Sequence, residues 1–347
     1  MTLVKLAVMP EEKVVDHCYD MGFFQDWWGK TCPRCKVGTL GPLLQELTNR
    51  RPAHKCNAKP CRAYILPEHS CSLLSHGPCS RPPRDQVMDI FCLITTNSVG
   101  NTVKLTGHDE KAVQRSRRLL LMTQKVYVQQ KQKDIDLGAS FLGPWPDVEV
   151  DETTVSKAFT RKPKGPNDKV VVWDNWLGIV ARGHPQTLVL ERLRQPPTKA
   201  RSPGPGPISK DQWRPLARKW LQSRKVVMHS DSARAYRECI IKGVARDHVV
   251  HKKRRIVDKT GKVRWLKPIY VRTVKHKLDG KVVTRRAGTQ TIDRAWGFLK
   301  ARIHKNQHTR PGGTHSVMEV RSAQWHYWIR GRDPWVALGT MLKDMHG

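Results

Sequence analysis

Three short stretches of this sequence carry carboxylates in settings that suit metal-ion chemistry. In Val148-Glu149-Val150-Asp151-Glu152-Thr153, strand alternation puts Glu149 and Asp151 on one face and Val148 and Val150 on the other. Side-by-side carboxylates repel unless cations neutralise them, so this edge is a candidate metal site; the alternative is a solvated acidic strand end. Lys225-Val-Val-Met-His-Ser-Asp231 reads as a short apolar strand that delivers Asp231 at its C-terminal end, just before a helix. Open α/β sheets place functional residues there, although a mere helix cap is the plainer role for such an Asp. In the stretch 289–304, Ile292, Trp296, Leu299 and Ile303 make the apolar stripe of a helix, and Asp293, Gly297, Lys300 and His304 share an adjoining face. Asp293 also suits the first turn of a helix on dipole grounds alone. Three carboxylates from two strands and a helix can hold two Mg²⁺ or Mn²⁺ ions for phosphodiester displacement, and hard oxygen ligands select these ions over zinc.

A second metal site is written in cysteine. Cys32-Pro-Arg-Cys35 is a C-x2-C knuckle, and Cys56 and Cys61 form a C-x4-C partner 20 residues on. Four thiolates fit a tetrahedral structural Zn²⁺; unligated thiols in a degraded module are the alternative. His54, Cys71 and Cys79 are spare candidates, better read as loop or core residues.

The elements that must position these groups follow from composition and pattern. The chain of 347 residues has 63 Lys+Arg against 30 Asp+Glu, a net charge of +33, which asks for a polyanionic partner. Residues 1–150 account for +5 of it and 151–347 for +28. With 38% hydrophobic residues and 12 Trp the chain can fill a core, so full disorder is excluded. No apolar run approaches the ~20 residues of a membrane span, and Met1 to Pro10 soon meets Glu11 and Glu12. The expectation is an intracellular, non-secreted protein, nuclear in a eukaryote and cytoplasmic or nucleoid-associated otherwise.

Residues 1–80 read as a Cys- and Pro-rich metal-stapled module, 84–133 as a helical segment compatible with a helix-turn-helix, and 134–146 as a linker. From 147 to 345 the pattern gives strands at 147–154, 169–182, 186–192, 225–230 and 247–251, with helices at 208–223, capped by Ser209, 232–242 and 290–304. The expected fold class is α/β, a sheet layered by helices. A basic insertion, 252–288, reads as strands with turns at 259–261 and 278–280. Residues 242–286 hold 16 Lys+Arg and three acids, including Lys252-Lys253-Arg254-Arg255. At that density the expected role is gripping a phosphate backbone; the tetrapeptide also matches a nuclear-import signal. Trp325, Trp328 and Trp335, with His326 and Tyr327, suit either base stacking or, more in keeping with their spacing, a helix packed into the core.

Taken together, Cys32–Cys61, VEVDET (148–153), LGIVARG (177–183), HSDSARAY (229–236), TQTIDRAWGFLK (289–300) and SAQWHYWIRGRDPW (322–335) resemble the Merlin-type DDE transposases and their bacterial insertion-sequence relatives. The resemblance spans about 30–340. It implies a zinc ribbon, a helical segment and an RNase H-like mixed sheet with flanking helices. It also implies cleavage of DNA ends followed by strand transfer, two Mg²⁺ or Mn²⁺ ions, structural Zn²⁺ and no nucleotide cofactor. Its partners would be double-stranded DNA at element ends and target, and a further copy of the chain, since cutting two ends calls for at least a dimer. By position, Asp151 and Asp231 match the family's first two catalytic aspartates, and Asp293 falls where the family has Glu. Gly288 stands where the family has His. Glu149 and Glu152 are neighbouring ligand candidates ranked below Asp151, and Lys252 to Arg255 with Lys300 are the DNA-binding candidates. The rival reading is a domesticated, catalytically inactive zinc-containing DNA-binding protein, favoured by Gly288, Asp293 and the C-x4-C spacing.

Overall fold

The computed structural model describes residues 2–44, 53–75, 80–161, 169–257, 260–304 and 310–346. The chain divides into two compact units, Met1–Tyr127 with Gly331–Gly347, and Val128–Arg330.

The first unit opens on two helices, α1 (Leu3–Val8) and α2 (Glu11–Asp20). Thr2 caps α1 with its side chain, and Glu11 and Glu12 set negative charge at the positive end of α2. The expectation of a Cys- and Pro-rich module over 1–80 did not include them, because each buries so few residues (Leu6; Val14 and Cys18) that no long stripe is visible. A small antiparallel sheet follows, in the order β1 (Leu40–Leu44), β2 (Ala53–Cys56), β3 (Tyr64–Ile65). Then come α3 (Pro83–Thr96), α4 (Val99–Thr106) and α5 (Glu110–Lys131). Asn97 in the left-handed region ends α3, and Ser98 accepts from the Asn101 amide to start α4. Buried Asp89 ties this turn region together, taking Arg81, His108 at 2.7 Å and Ser116 at 3.1 Å.

The second unit takes over the last turn of α5 from Val128 and then has a one-turn helix, α6 (Ala139–Leu142), inside the Gly/Pro linker. Its strands are β4 (Asp147–Arg161), β5 (Lys169–Ala181), β6 (Val189–Leu193), β7 (Thr198–Lys199), β8 (Val226–Ser230) and β9 (Val244–His248), with α7 (Lys210–Leu221) and α8 (Arg234–Glu238) between them. These form one mixed sheet in the order β6-β5-β4-β8-β9, with β7 paired to β5. β5 runs antiparallel to β4 and β6, whereas β8 and β9 run parallel to β4. Two ribbons follow, β10 (Arg254–Val257) with β11 (Val263–Leu266), and β12 (Val271–Leu278) with β13 (Lys281–Gly288), then α9 (Gln290–Arg302) and α10 (Thr314–Trp328).

Alternation in the strands sorts the core into two layers. Val148, Val150, Leu177, Ile179, Val226 and Met228 face Trp213, Ala217 and Trp220 of α7 and Tyr236 of α8. Trp176, Val180 and Leu190 face Ile292, Trp296 and Leu299 of α9 and Val320 and Tyr327 of α10. Helices therefore cover both faces of the sheet, and the expected α/β class stands. The α7 start is a capping box made by Ser209 and Gln212.

Several boundaries differ from expectation. The helix read over 232–242 stops at Glu238, because the chain turns at Gly243 (φ +76°) to enter β9 at Val244, three residues before the expected 247. A 3-10 turn at Pro185–Thr187 takes the first residues of the strand read from 186. The turn read at 259–261 involves Lys259, which lies outside the described residues; the one at 278–280 closes β12–β13. The block drawn as 147–345 also ends early. The last helix, α11 (Pro334–His346), belongs to the first unit, where Trp335 meets Phe23 and Phe91 at 4.6 and 5.2 Å between ring centroids. No described helix is long and apolar enough to cross a membrane.

Candidate functional site

Asp151 and Asp231 arise where β4 and β8 run side by side. The pairing of Val150 with Ser230 brings Asp151, within β4 and on the α9 face by alternation, beside Asp231, the first residue past β8, which accepts from the Ala233 amide at 2.8 Å. Opposite Asp151 on β5 stands Gly178, where a Cβ would lie 2.6 Å from the Trp296 ring. The missing side chain lets that ring come over the strand, and its Nε1 donates to Asp151 Oδ2 at 3.1 Å. Asp293 sits one turn earlier on α9, exposed, accepting from Thr289 Oγ1 at 3.1 Å. Burial raises the Asp151 carboxyl from its ordinary 3.8 to about 8, with the charges of Glu152, Asp231 and Asp293 adding to the rise. Partial desolvation of its carboxyl also raises Asp293, with Glu149 and Asp231 contributing, against the lowering by Thr289 and His251. Among the described residues none forms an ion pair with Asp151, Asp231 or Asp293. Their oxygens do not all lie within 4.8 Å of one another, a spacing that among described residues only the four cysteines below meet.

The neighbouring acids are already engaged. Glu149, buried, accepts from Arg182 Nε at 2.6 Å and from the Thr291 and Ile292 amides at 2.6 and 2.9 Å. It caps α9 and so sets the height of Asp293. Arg182 also donates to the carbonyls of Arg286 and Gly288. Glu152 points to the other face, where Tyr236 and the Ile208 amide donate to it. Neither glutamate is free to serve as the extra ligand the sequence had offered.

On the same face as Asp151, a chain of acids and histidines crosses the sheet edge. His229, fully buried, lies 3.0 Å from Asp147 and 2.8 Å from Asp247; Asp247 in turn meets His276 of β12 at 2.9 Å. These partners raise His229 against the effect of its burial, and His229 in turn holds both aspartates below their ordinary range. The chain docks the β12–β13 ribbon on the sheet. Sequence reasoning missed it, along with Arg182 and His251. The Asp-Val-Glu-Val-Asp alternation from 147 signalled acids on one face, but nothing local names their partners.

Lys300 reaches Thr153 Oγ1 at 2.6 Å, two residues along the strand from Asp151. Asp293, Gly297, Lys300 and His304 are all exposed, and a Cβ at Gly297 would meet nothing. Lys252, Lys253, Arg254 and Arg255 are exposed at the start of β10. The ribbon joins the site at its root, where the His251 ring lies 5.1 Å from that of Tyr270 and 3.4 Å from Thr289 Oγ1, the group that donates to Asp293.

The four cysteines form a group able to hold a metal ion. Cys32 and Cys61 lie 3.9 Å apart at sulfur, Cys35 and Cys56 3.8 Å. A tetrahedron with metal–sulfur bonds near 2.3 Å has edges of about 3.8 Å, so the spacing fits. Gly38 passes so close that a Cβ there would lie 2.4 Å from Cys56 Sγ. Its amide donates to Cys35 Sγ at 3.3 Å, and amide donation from Gly38 and Val37 lowers the Cys35 thiol to about 6.

No protein-family model, curated protein or solved structure matches this chain.

The remaining candidates resolve as packing. His54 is buried and holds Gly41 O at 2.9 Å, and Cys71 is a buried thiol pushed up to about 12 by burial. Cys79 lies outside the described residues. Trp325, His326, Tyr327 and Trp335 are buried and present no face for stacking, and Trp328 is half-buried against the second core layer, donating to the Leu188 carbonyl.

Proposed function

We propose that this protein is a DDE-type transposase, cutting DNA ends and joining them to target DNA. The observation that carries the reading is the crowding of Asp151, Asp231 and Asp293 at one end of the mixed sheet without a cationic partner, in a unit that holds most of the excess positive charge. Three antiparallel strands flanked by two parallel to the first, with an acid on the first, one just past the fourth and one on a later helix, support an RNase H-like assignment. The cysteine spacing, between a knuckle and a three-stranded sheet, supports a zinc ribbon that braces the first unit.

Oxygens around one Mg²⁺ lie at most about 4.2 Å apart, so the three aspartates as placed do not close on a single ion, and the reading calls for two. Two divalent ions there would activate the attacking oxygen and steady the leaving one. The chain's own residues do the rest. Trp296 orients Asp151, Glu149 fixes the start of α9 and hence Asp293, and Lys300 sets a positive charge beside the acids. Exposed basic ribbons grip duplex DNA by its phosphates.

The exposure of Asp293, one methylene shorter than Glu, favours a second reading, a DNA-binding protein that no longer cuts. A nicking and joining assay with Mg²⁺ or Mn²⁺ separates the two. Activity that Asp151→Asn abolishes is expected; DNA binding without any nicking by the wild type would establish the second reading. Asp293→Ala without effect would remove only the third ligand.

A further inference from the structure

We propose that the β10–β11 ribbon is a base-stacking device: Trp265 receives an unpaired DNA base while the cations on its face hold the adjoining phosphates. The proposal rests on the DNA reading above and deepens it. All eight residues of β10 and β11 are exposed, so neither face of the ribbon is packed on a core. A two-stranded ribbon in water is marginal alone and gains from a partner. In its register Arg255 pairs with Trp265 and Val257 with Val263, and directly opposed residues share a face. Period two extends that face to Lys253 before β10 and Lys267 after β11. These two residues line, with Trp265, Leu266 and Pro268, an open groove of about 680 Å³. Trp265 is 64% exposed, the one tryptophan of its unit more than half exposed among the described residues.

A large flat ring amid three cations is a costly arrangement in water and a complementary one for a nucleotide, whose base presents a π-face and whose phosphate is anionic. A paired, stacked base offers no such face, so the occupant is an unpaired base at a frayed or opened end. The same charges oppose a second copy of the face. The ribbon's root also places the groove in the service of the acid cluster, because His251 and Tyr270 flank it and His251 touches Thr289, which bonds Asp293.

The test compares, without divalent ions, a blunt duplex and the same duplex with four unpaired nucleotides at one end, one of them 2-aminopurine. Proteins are the full-length wild type, Trp265→Ala and Trp265→Phe, with zinc content and circular dichroism confirming folding. The wild type is expected to prefer the open end and to quench 2-aminopurine. Trp265→Ala should lose about ten-fold in affinity for it with blunt-duplex affinity unchanged, and Trp265→Phe should retain most of both signals. Equal losses on both DNAs, or unaltered quenching in Trp265→Ala, would overturn the stacking role and leave the DNA reading intact. A wild-type dimer that Trp265→Ala dissociates would instead assign the face to a second copy and overturn it as well. Failure of the wild type to bind either DNA would defeat both readings together.

Discussion

Asp151→Asn is expected to stabilise the protein in neutral and alkaline solution free of divalent ions. Folding raises the Asp151 carboxyl from 3.8 to about 8, so between these values the folded protein binds a proton that the unfolded chain has released. Stability is then lost as pH rises, by about 1.4 kcal/mol per pH unit from roughly pH 4 to pH 8, with a ceiling on the order of 5 kcal/mol. Asparagine removes the titration and keeps an oxygen to accept from Trp296. The advantage of the variant should be near zero at pH 4, grow steadily, and level off above pH 8. Urea denaturation followed by tryptophan fluorescence, on zinc-loaded protein desalted of free divalent ions, measures it at each pH. Added Mg²⁺ should narrow the gap by stabilising the wild type alone. A difference between the two proteins that does not change with pH would refute the burial and charge environment assigned to Asp151.

Other outcomes follow from the same geometry. Cys35→Ser and Cys56→Ser should each reduce bound zinc from one per chain to near none by elemental analysis, with a lowered melting temperature. Glu149→Ala should cost about 3–5 kcal/mol in urea denaturation, because it leaves Arg182 unpaired and uncaps α9; a cost below 1 kcal/mol would contradict the clamp. Replacing Lys252, Lys253, Arg254 and Arg255 by Ala should flatten the salt dependence of duplex binding, by about 0.9 in log–log slope for each phosphate that the variant no longer neutralises. An unchanged slope would place the grip elsewhere.

The sequence exposed the site more clearly than its supports. Alternation around Asp151, the apolar run before Asp231 and the helical stripe beside Asp293 are local patterns, and all three residues sit on the elements those patterns imply. The cysteine knuckle is equally local. By contrast, the engagement of Glu149 by Arg182 and the α9 amides joins residues more than 30 and 140 positions apart, and no window along the chain contains it. The histidine chain from Asp147 to His276 is hidden for the same reason. Short elements escaped as well: α1 and α2 bury too little to show a stripe, and α11 has one that cannot say which unit it will join. The rings at 325–335 follow the core packing that their spacing favoured; Trp265, exposed, stands in a stretch whose charge drew the attention first.

The acid-lined face of the sheet is also a ledger of charge already settled. Glu149 is paired with Arg182, Asp147 with Arg285, and Asp247 with His229, which also touches Asp147. Asp151, Asp231 and Asp293 are left without an ionic partner among the described residues. Lys300 stands beside them, so with the two divalent ions of the proposed function, and all three carboxylates ionised, the cluster would carry a positive surplus even before the basic ribbons are counted. The divalent ions would thus reverse the sign of the cluster, from one that repels a phosphate to one that draws it in, and metal loading would govern DNA engagement there as well as chemistry.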